Sequence, residues 1–211
     1  MQVSTRAPRD EEQTTVNRLL APLAAGFKLG VAIRRAAYSH GWFKTHRLNR
    51  PVVSVGNLTT GGTGKTPLVR LIAEILLKRG WKPSILTRGY GRSSGADLVL
   101  LQPASKREPD PREVGDEPAL LARALPEVPI VVSSDRYRGG RMAEEQCHVD
   151  VHILDDGFQH WALARDVDVV LLDVTQELSD QALLPAGRQR EPISGLGRAH
   201  IMVLTRTELG D

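Results

Sequence analysis

Lys65 and Thr66 stand directly after Gly61-Gly62-Thr63-Gly64, at the head of an apolar-periodic stretch that runs to Lys78-Arg79. A glycine loop joined to Lys-Thr is suited to holding phosphate. Glycines let successive backbone N–H groups turn toward phosphate oxygens, and a helix N-terminus adds partial positive charge. The lysine reaches the outer phosphates and the threonine hydroxyl serves Mg²⁺. Gly61, Gly62, Thr63, Gly64, Lys65, Thr66 and Pro67 are thus the candidate nucleotide-binding residues, with Lys65 also a catalytic candidate. The strict spacing wants glycine five residues before Gly64, where Thr59 stands, so the motif is degenerate at one end and intact at the other.

A second constellation follows in Val151-His152-Ile153-Leu154-Asp155-Asp156-Gly157. An apolar strand ending in aspartate, downstream of such a loop, is where Mg²⁺ or its water shell is held. One or two protein carboxylates suffice for that ion. His160 lies three residues beyond Gly157 and could act in proton transfer. Arg88-Gly89-Tyr90-Gly91-Arg92 closes another apolar run, a place that fits a ligand-binding edge or an ordinary exposed loop. Gly115-Asp116-Glu117-Pro118 opens a helix, and an acid followed by proline is a common helix start that needs no chemistry. In Leu183–Pro192, Arg188 and Arg190 lie near a carboxylate, Glu191, and arginines near a phosphate can steady transferring charge, though a solvated loop also explains them.

These residues need a scaffold that gathers them. Apolar runs at 51–55, 84–87, 129–132, 151–155, 167–172 and 201–204 read as strands. Helical patterns fill 65–79, 119–125 and 138–147, and the proline-rich stretch 93–115 reads as loop. The alternation predicts a P-loop NTPase-like α/β fold, a mostly parallel sheet with helices on both faces. Ligands in such sheets gather at the carboxyl ends of the strands, where all the candidate motifs begin.

Residues 1–13 are polar and read as a disordered tail, 14–48 as an N-terminal helical segment, and 49–211 as the α/β domain. In the helical segment Val16, Leu19, Leu20, Leu23 and Phe27 recur at spacings of three and four. Lys28, Arg34 and Arg35 follow, then Trp42-Phe43-Lys44. A helix packed on the core and an amphipathic helix lying in a membrane interface both fit this pattern. No apolar run approaches the roughly 20 residues that span a bilayer. A formal net charge of +3 is too mild to argue for nucleic acid as a partner. The lone Cys147 excludes an internal disulfide and a multi-cysteine zinc site.

GNLTTGGTGKTP (56–67), LTRGYGR (86–92), GDEP (115–118), DDGFQHWALARD (155–166) and LLPAGRQREP (183–192) occur in an order and spacing that closely resembles the tetraacyldisaccharide 4'-kinases of Gram-negative bacteria. Thr59 belongs to that family's own variant of the loop. The resemblance implies ATP- and Mg²⁺-dependent transfer of the γ-phosphate to the 4'-hydroxyl of a lipid A disaccharide precursor. It further implies work at the cytoplasmic face of the inner membrane, with peripheral association through the N-terminal helix. By motif position it makes Asp116 the candidate base, with Lys65 and His160 as further catalytic residues. Thr66, Asp155, Asp156 and Glu191 become metal candidates, and Arg88, Tyr90, Arg136, Gln159 and Arg190 substrate-binding ones.

The chain departs from that family in two respects. Gly187-Arg188-Gln189 stands where the family usually has Gly-Pro-Leu. Family members also continue into a smaller C-terminal domain, which supplies a histidine that works with the aspartate. The expectation is therefore that these residues bind Mg-ATP but transfer phosphate poorly unless that remainder is present. Two other classes fit the motifs: a P-loop GTPase or metallochaperone switch, and a non-catalytic membrane-associated nucleotide-binding module.

Overall fold

The computed structural model describes residues 8–90, 96–103, 108–176 and 182–209, with side chains described from Leu20 onward. A helix, α1 (Pro8–Ser39), leads into the sheet domain. Then come β1 (Val52–Asn57), α2 (Lys65–Lys78), β2 (Pro83–Thr87), β3 (Leu98–Leu101), α3 (Pro111–Val114), α4 (Asp116–Ala124) and β4 (Ile130–Ser133). The chain continues through α5 (Arg136–Cys147), β5 (Val151–Asp155), β6 (Val167–Asp173), a 3-10 helix (Ile193–Arg198) and β7 (Ile201–Thr205).

The seven strands form one sheet in the order β3-β4-β2-β5-β1-β6-β7, all parallel except β3. β1 lies inside the sheet between β5 and β6, and all three are largely buried runs that can be covered on two faces. On one face Val69 and Ala73 of α2 and Ala119 and Leu121 of α4 pack on Val55, Ile85, Ile130 and Ile153. On the other, Ala143 of α5 packs with Val52, Leu86, Val131 and Leu154, joined by Leu48 and Leu163. A smaller cluster of Leu58, Phe158 and Val170 lies beneath the 3-10 helix, which adds Leu196. His152 is fully buried and bridges β2 to α5, with Nδ1 at 2.7 Å from Ser84 Oγ and Nε2 at 3.4 Å from Glu144.

Parallel register brings the strand ends to one edge. Val55 pairs with Asp155, and Leu86 with Leu154, so Thr87 comes beside Asp155 and Asn57 stands two residues beyond Val55. The edge is the predicted one. Local details differ from expectation in the stretch expected to be loop. There β3 forms antiparallel to β4, and α3 starts at Pro111 with Asp110 accepting from the Arg112 N–H at 2.9 Å. A four-residue apolar run gives no period to read, and its antiparallel partner is supplied only by the fold. Helix α1 begins at Pro8, inside the segment expected to be a tail, and residues 1–7 lie outside the described residues. Just past α1, Thr45 Oγ1 donates to the Trp161 carbonyl at 3.1 Å and the His46 ring stacks on Tyr137, so this segment is tied to the domain. Among the described residues no helix is long and apolar enough to cross a membrane.

Candidate active site

β1 ends at Asn57, and the loop after it turns into α2 at Gly64, whose φ of 88° suits glycine. Asn57 is fully buried and organises this turn. Its Nδ2 donates to Thr63 Oγ1 at 2.9 Å, and its Oδ1 accepts from Lys65 Nζ at 3.3 Å. Lys65 Nζ is also 3.6 Å from Asp156. Thr59, where the strict motif has glycine, is extended and buried, bridged to Gln189, and so needs no unusual backbone.

The two adjacent carboxylates at the end of β5 face different surroundings. Asp155 is buried and accepts from Thr87 Oγ1 at 2.9 Å. Burial pushes its carboxyl up from 3.8 to about 6, against the Thr87 hydrogen bond, with Glu117 and Asp156 adding to the rise. Asp156 takes a left-handed turn, φ 50°, and accepts both hydrogen bonds from Arg190 at 2.8 and 2.7 Å. Asp156 thus lies between Lys65 and Arg190.

A cavity of about 540 Å³ opens beside Asp156. Arg88, Tyr90, Arg136, Gln159, His160 and Arg190 all line it, as does Glu191. Sequence reasoning had not placed Phe27, Val31 and Arg34 of α1 there, nor Trp161, yet they form part of its wall. Arg88, Arg136, Arg190 and Arg34 make the cavity cationic. Arg136 is buried and its Nε has no hydrogen-bond partner among the described residues. Burial, with Arg88 nearby, lowers its pKa. Burial and Arg136 likewise hold His160 down to about 4, so its imidazole is neutral at ordinary pH.

Glu191 is buried and accepts from Gln159 at 2.8 Å and from Arg198 at 3.0 and 2.9 Å. Gln159 also donates to the Asn57 carbonyl at 2.9 Å, which links this chain to the phosphate loop. The Arg198 guanidinium stacks over Phe158 and Trp161, 4.4 and 4.3 Å from their centroids. Asp116 is the first residue of α4, exposed, while the cap position is Gly115. Gly115 has φ 97°, and a Cβ there would lie 2.7 Å from the Tyr90 carbonyl oxygen, so the Asp116 turn packs directly on the Tyr90 turn.

A family model for tetraacyldisaccharide-1-P 4'-kinase, LpxK, matches residues 16–211. The chain belongs to this family. It is 45% identical over 188 residues to a tetraacyldisaccharide 4'-kinase of Geobacter metallireducens, covering 89% of this chain and 56% of that protein. It is 47% identical over 190 residues to that of Koribacter versatilis, covering 87% and 57%. The crystal structure of LpxK from Aquifex aeolicus in complex with ATP superposes with a TM-score of 0.84 at 39% identity, covering 92% of this chain and 60% of that one. The chain therefore spans somewhat more than half the length of these family members.

For an LpxK-family chain, the donor set Thr66, Asp155 and Asp156 fits Mg²⁺: hard oxygens, including a buried aspartate whose raised pKa marks uncompensated charge. Among the described residues no group of three or more His, Cys, Asp or Glu side chains could hold a metal ion. Glu191 already accepts from Gln159 and Arg198 through its two oxygens. Asn57 and Arg198 were missed by sequence reasoning. Asn57 at a strand end before a glycine loop was a usable signal; Arg198 carried none.

Proposed function

We propose that these residues form the nucleotide-binding part of a kinase that passes the γ-phosphoryl group of ATP to the 4'-hydroxyl of a tetraacyldisaccharide 1-phosphate. The observation that carries this reading is Asp156 at the junction of two compartments. Lys65 of the phosphate loop stands 3.6 Å away on one side, and Arg190 of the cationic cavity bonds it on the other. Phosphates laid on the Gly61–Thr66 turn would present the terminal group to an acceptor in that cavity. The four arginines suit an acceptor that already bears a phosphate, and Phe27, Val31 and Trp161 suit its apolar part.

Each residue then has a definable task. Lys65, preset by Asn57, neutralises charge on the outer phosphate oxygens. Arg190, aligned by its two bonds to Asp156, steadies charge as the phosphoryl group transfers. Bound at Thr66, Asp155 and Asp156, Mg²⁺ would neutralise charge on the outer phosphates. Asp116, an exposed carboxylate on the turn packed against Tyr90, takes the acceptor hydroxyl proton. Neutral His160 offers a hydrogen bond to the sugar without adding charge. Leu23, Leu29, Ile33, Trp42 and Phe43 are exposed, with Lys28, Arg35 and Lys44 close in sequence, a composition suited to a membrane interface where a lipid acceptor resides. That reading puts the protein at the cytoplasmic face of a Gram-negative inner membrane.

The test has two arms. ATP binding is measured on this chain with and without Lys65→Ala; binding lost in the variant supports the nucleotide site, and no binding by the parent chain refutes it. Transfer of label from γ-labelled ATP to the disaccharide acceptor in detergent is measured with Asp116→Ala. Transfer that survives unchanged in the variant refutes Asp116 as the base.

A further inference from the structure

Two arginines are bonded to backbone carbonyls of the glycine turn that precedes α2. Arg188 Nη2 donates to the Thr60 carbonyl at 3.1 Å, and the Thr60 N–H donates back to the Arg188 carbonyl at 2.8 Å. Arg206, just past β7, donates through Nη2 to the Gly62 carbonyl at 2.8 Å. Its Nη1 donates to Asp173 Oδ2 at 2.8 Å, and the Asp173 side chain is 1% exposed at the end of β6. Asp173 is itself fixed by the Thr175 hydroxyl at 2.6 Å and by Gln176 at 2.9 Å. Those bonds, the Thr175 hydroxyl foremost, hold its carboxyl below the usual range and keep it charged for Arg206.

A trans peptide is planar, with its C=O and N–H pointing in opposite directions. Holding the Thr60 carbonyl on Arg188 therefore turns the Gly61 N–H away from Arg188, and holding the Gly62 carbonyl on Arg206 turns the Thr63 N–H away from Arg206. Alternate peptides of the glycine turn are thus set to face an anion. Glycines that give the loop its freedom would otherwise have to be ordered when the ligand binds.

We propose that Arg188 and Arg206, the latter anchored by Asp173, are positioning residues that preset the phosphate-binding N–H groups of Gly61 and Thr63. The inference rests on the nucleotide-binding reading above. Arg206 and Asp173 come from two neighbouring strand ends, β7 and β6, and reach the loop across the sheet edge.

The experiment is ATP binding by calorimetry at low and high salt for the parent chain, Arg206→Ala, Arg206→Lys, Arg188→Ala, Asp173→Asn and Arg206→Ala/Asp173→Asn, with the melting temperature of each. Loss of a charge-assisted hydrogen bond and of the ordering it provides is expected to weaken ATP by about tenfold in Arg206→Ala. The fold-loss should be the same at both salt concentrations, because the guanidinium orders the loop and makes no phosphate contact. Inorganic triphosphate should lose affinity by the same factor, since the base plays no part. Arg206→Lys, which keeps charge and fold, should fall between parent and alanine, and the double variant should be no worse than Arg206→Ala alone. Unchanged ATP affinity in both Arg206→Ala and Arg188→Ala overturns the proposal, as does a loss that shrinks steeply with salt, which would mean direct contact with phosphate. No ATP binding by the parent chain, or parent binding that survives Lys65→Ala, would instead overturn the nucleotide reading beneath it.

Discussion

Asp155→Asn is expected to stabilise the nucleotide-free protein while weakening the proposed Mg²⁺ site. The Asp155 side chain lies at the carboxyl end of β5, 4% exposed, with one oxygen accepting from Thr87. Burial raises its carboxyl from 3.8 to about 6. A shift of that size corresponds to about 3 kcal/mol between the two protonation states. Because the folded pKa is the higher, the native state holds a proton that the unfolded chain has already released between about pH 4 and 6. Stability therefore falls as pH rises through that window, and the whole cost is carried at pH 7. Asparagine keeps the shape and can still accept from Thr87, but it carries no charge. Melting curves in chelator without nucleotide should show Asp155→Asn above the parent at pH 7 by roughly 6–12 °C if the full amount is recovered. The gain should shrink toward zero near pH 4, where the parent is protonated too. A lower melting temperature at pH 7, or a difference independent of pH, would refute the argument that this carboxylate is held charged against its surroundings.

Other residues give independent checks. Gly115→Ala puts a Cβ 2.7 Å from the Tyr90 carbonyl oxygen at a φ of 97°, and should cost about 1–3 kcal/mol in urea unfolding; a neutral result would mean that the two turns are not in register. His160 should titrate near 4 by NMR, with stability declining as pH falls below its ordinary value of 6.5, and a midpoint close to 6.5 would show that it is not enclosed with Arg136. Arg198→Ala leaves the buried Glu191 carboxylate without its cation and uncovers Phe158 and Trp161. Loss of one partner from a buried pair costs about 3–5 kcal/mol, and a loss under about 1 kcal/mol in chemical denaturation would refute the role given to this pair.

Much of the scaffold was legible because it is written in short-range patterns. A glycine turn followed by Lys65-Thr66, an apolar run into Asp155-Asp156, and strands alternating with helices each show within a dozen residues, and parallel topology then puts the strand ends on one edge. β3 was not legible, since Leu98–Leu101 has no period and becomes a strand only by lying antiparallel on β4. Asp116 divided two readings, a cap and a functional acid. In the fold Gly115 takes the cap position and Asp116 stands in the first turn of α4, where its charge suits the helix N-terminus, with its carboxylate exposed beside the Tyr90 turn.

The sequence by itself determined the glycine turn into α2, the acid pair at the end of β5 and the α/β layering, because backbone conformation and burial periodicity are properties of neighbouring residues. Only the tertiary structure decided what those groups face. It sets Asp156 between Lys65 and Arg190, encloses Arg136 with an unpartnered Nε, lays Phe27, Val31 and Arg34 of α1 along the cavity, and brings Arg206 to the Gly62 carbonyl from 144 residues away. Those relations depend on distances between segments far apart in the chain, which sheet register and helix packing fix and local pattern does not encode.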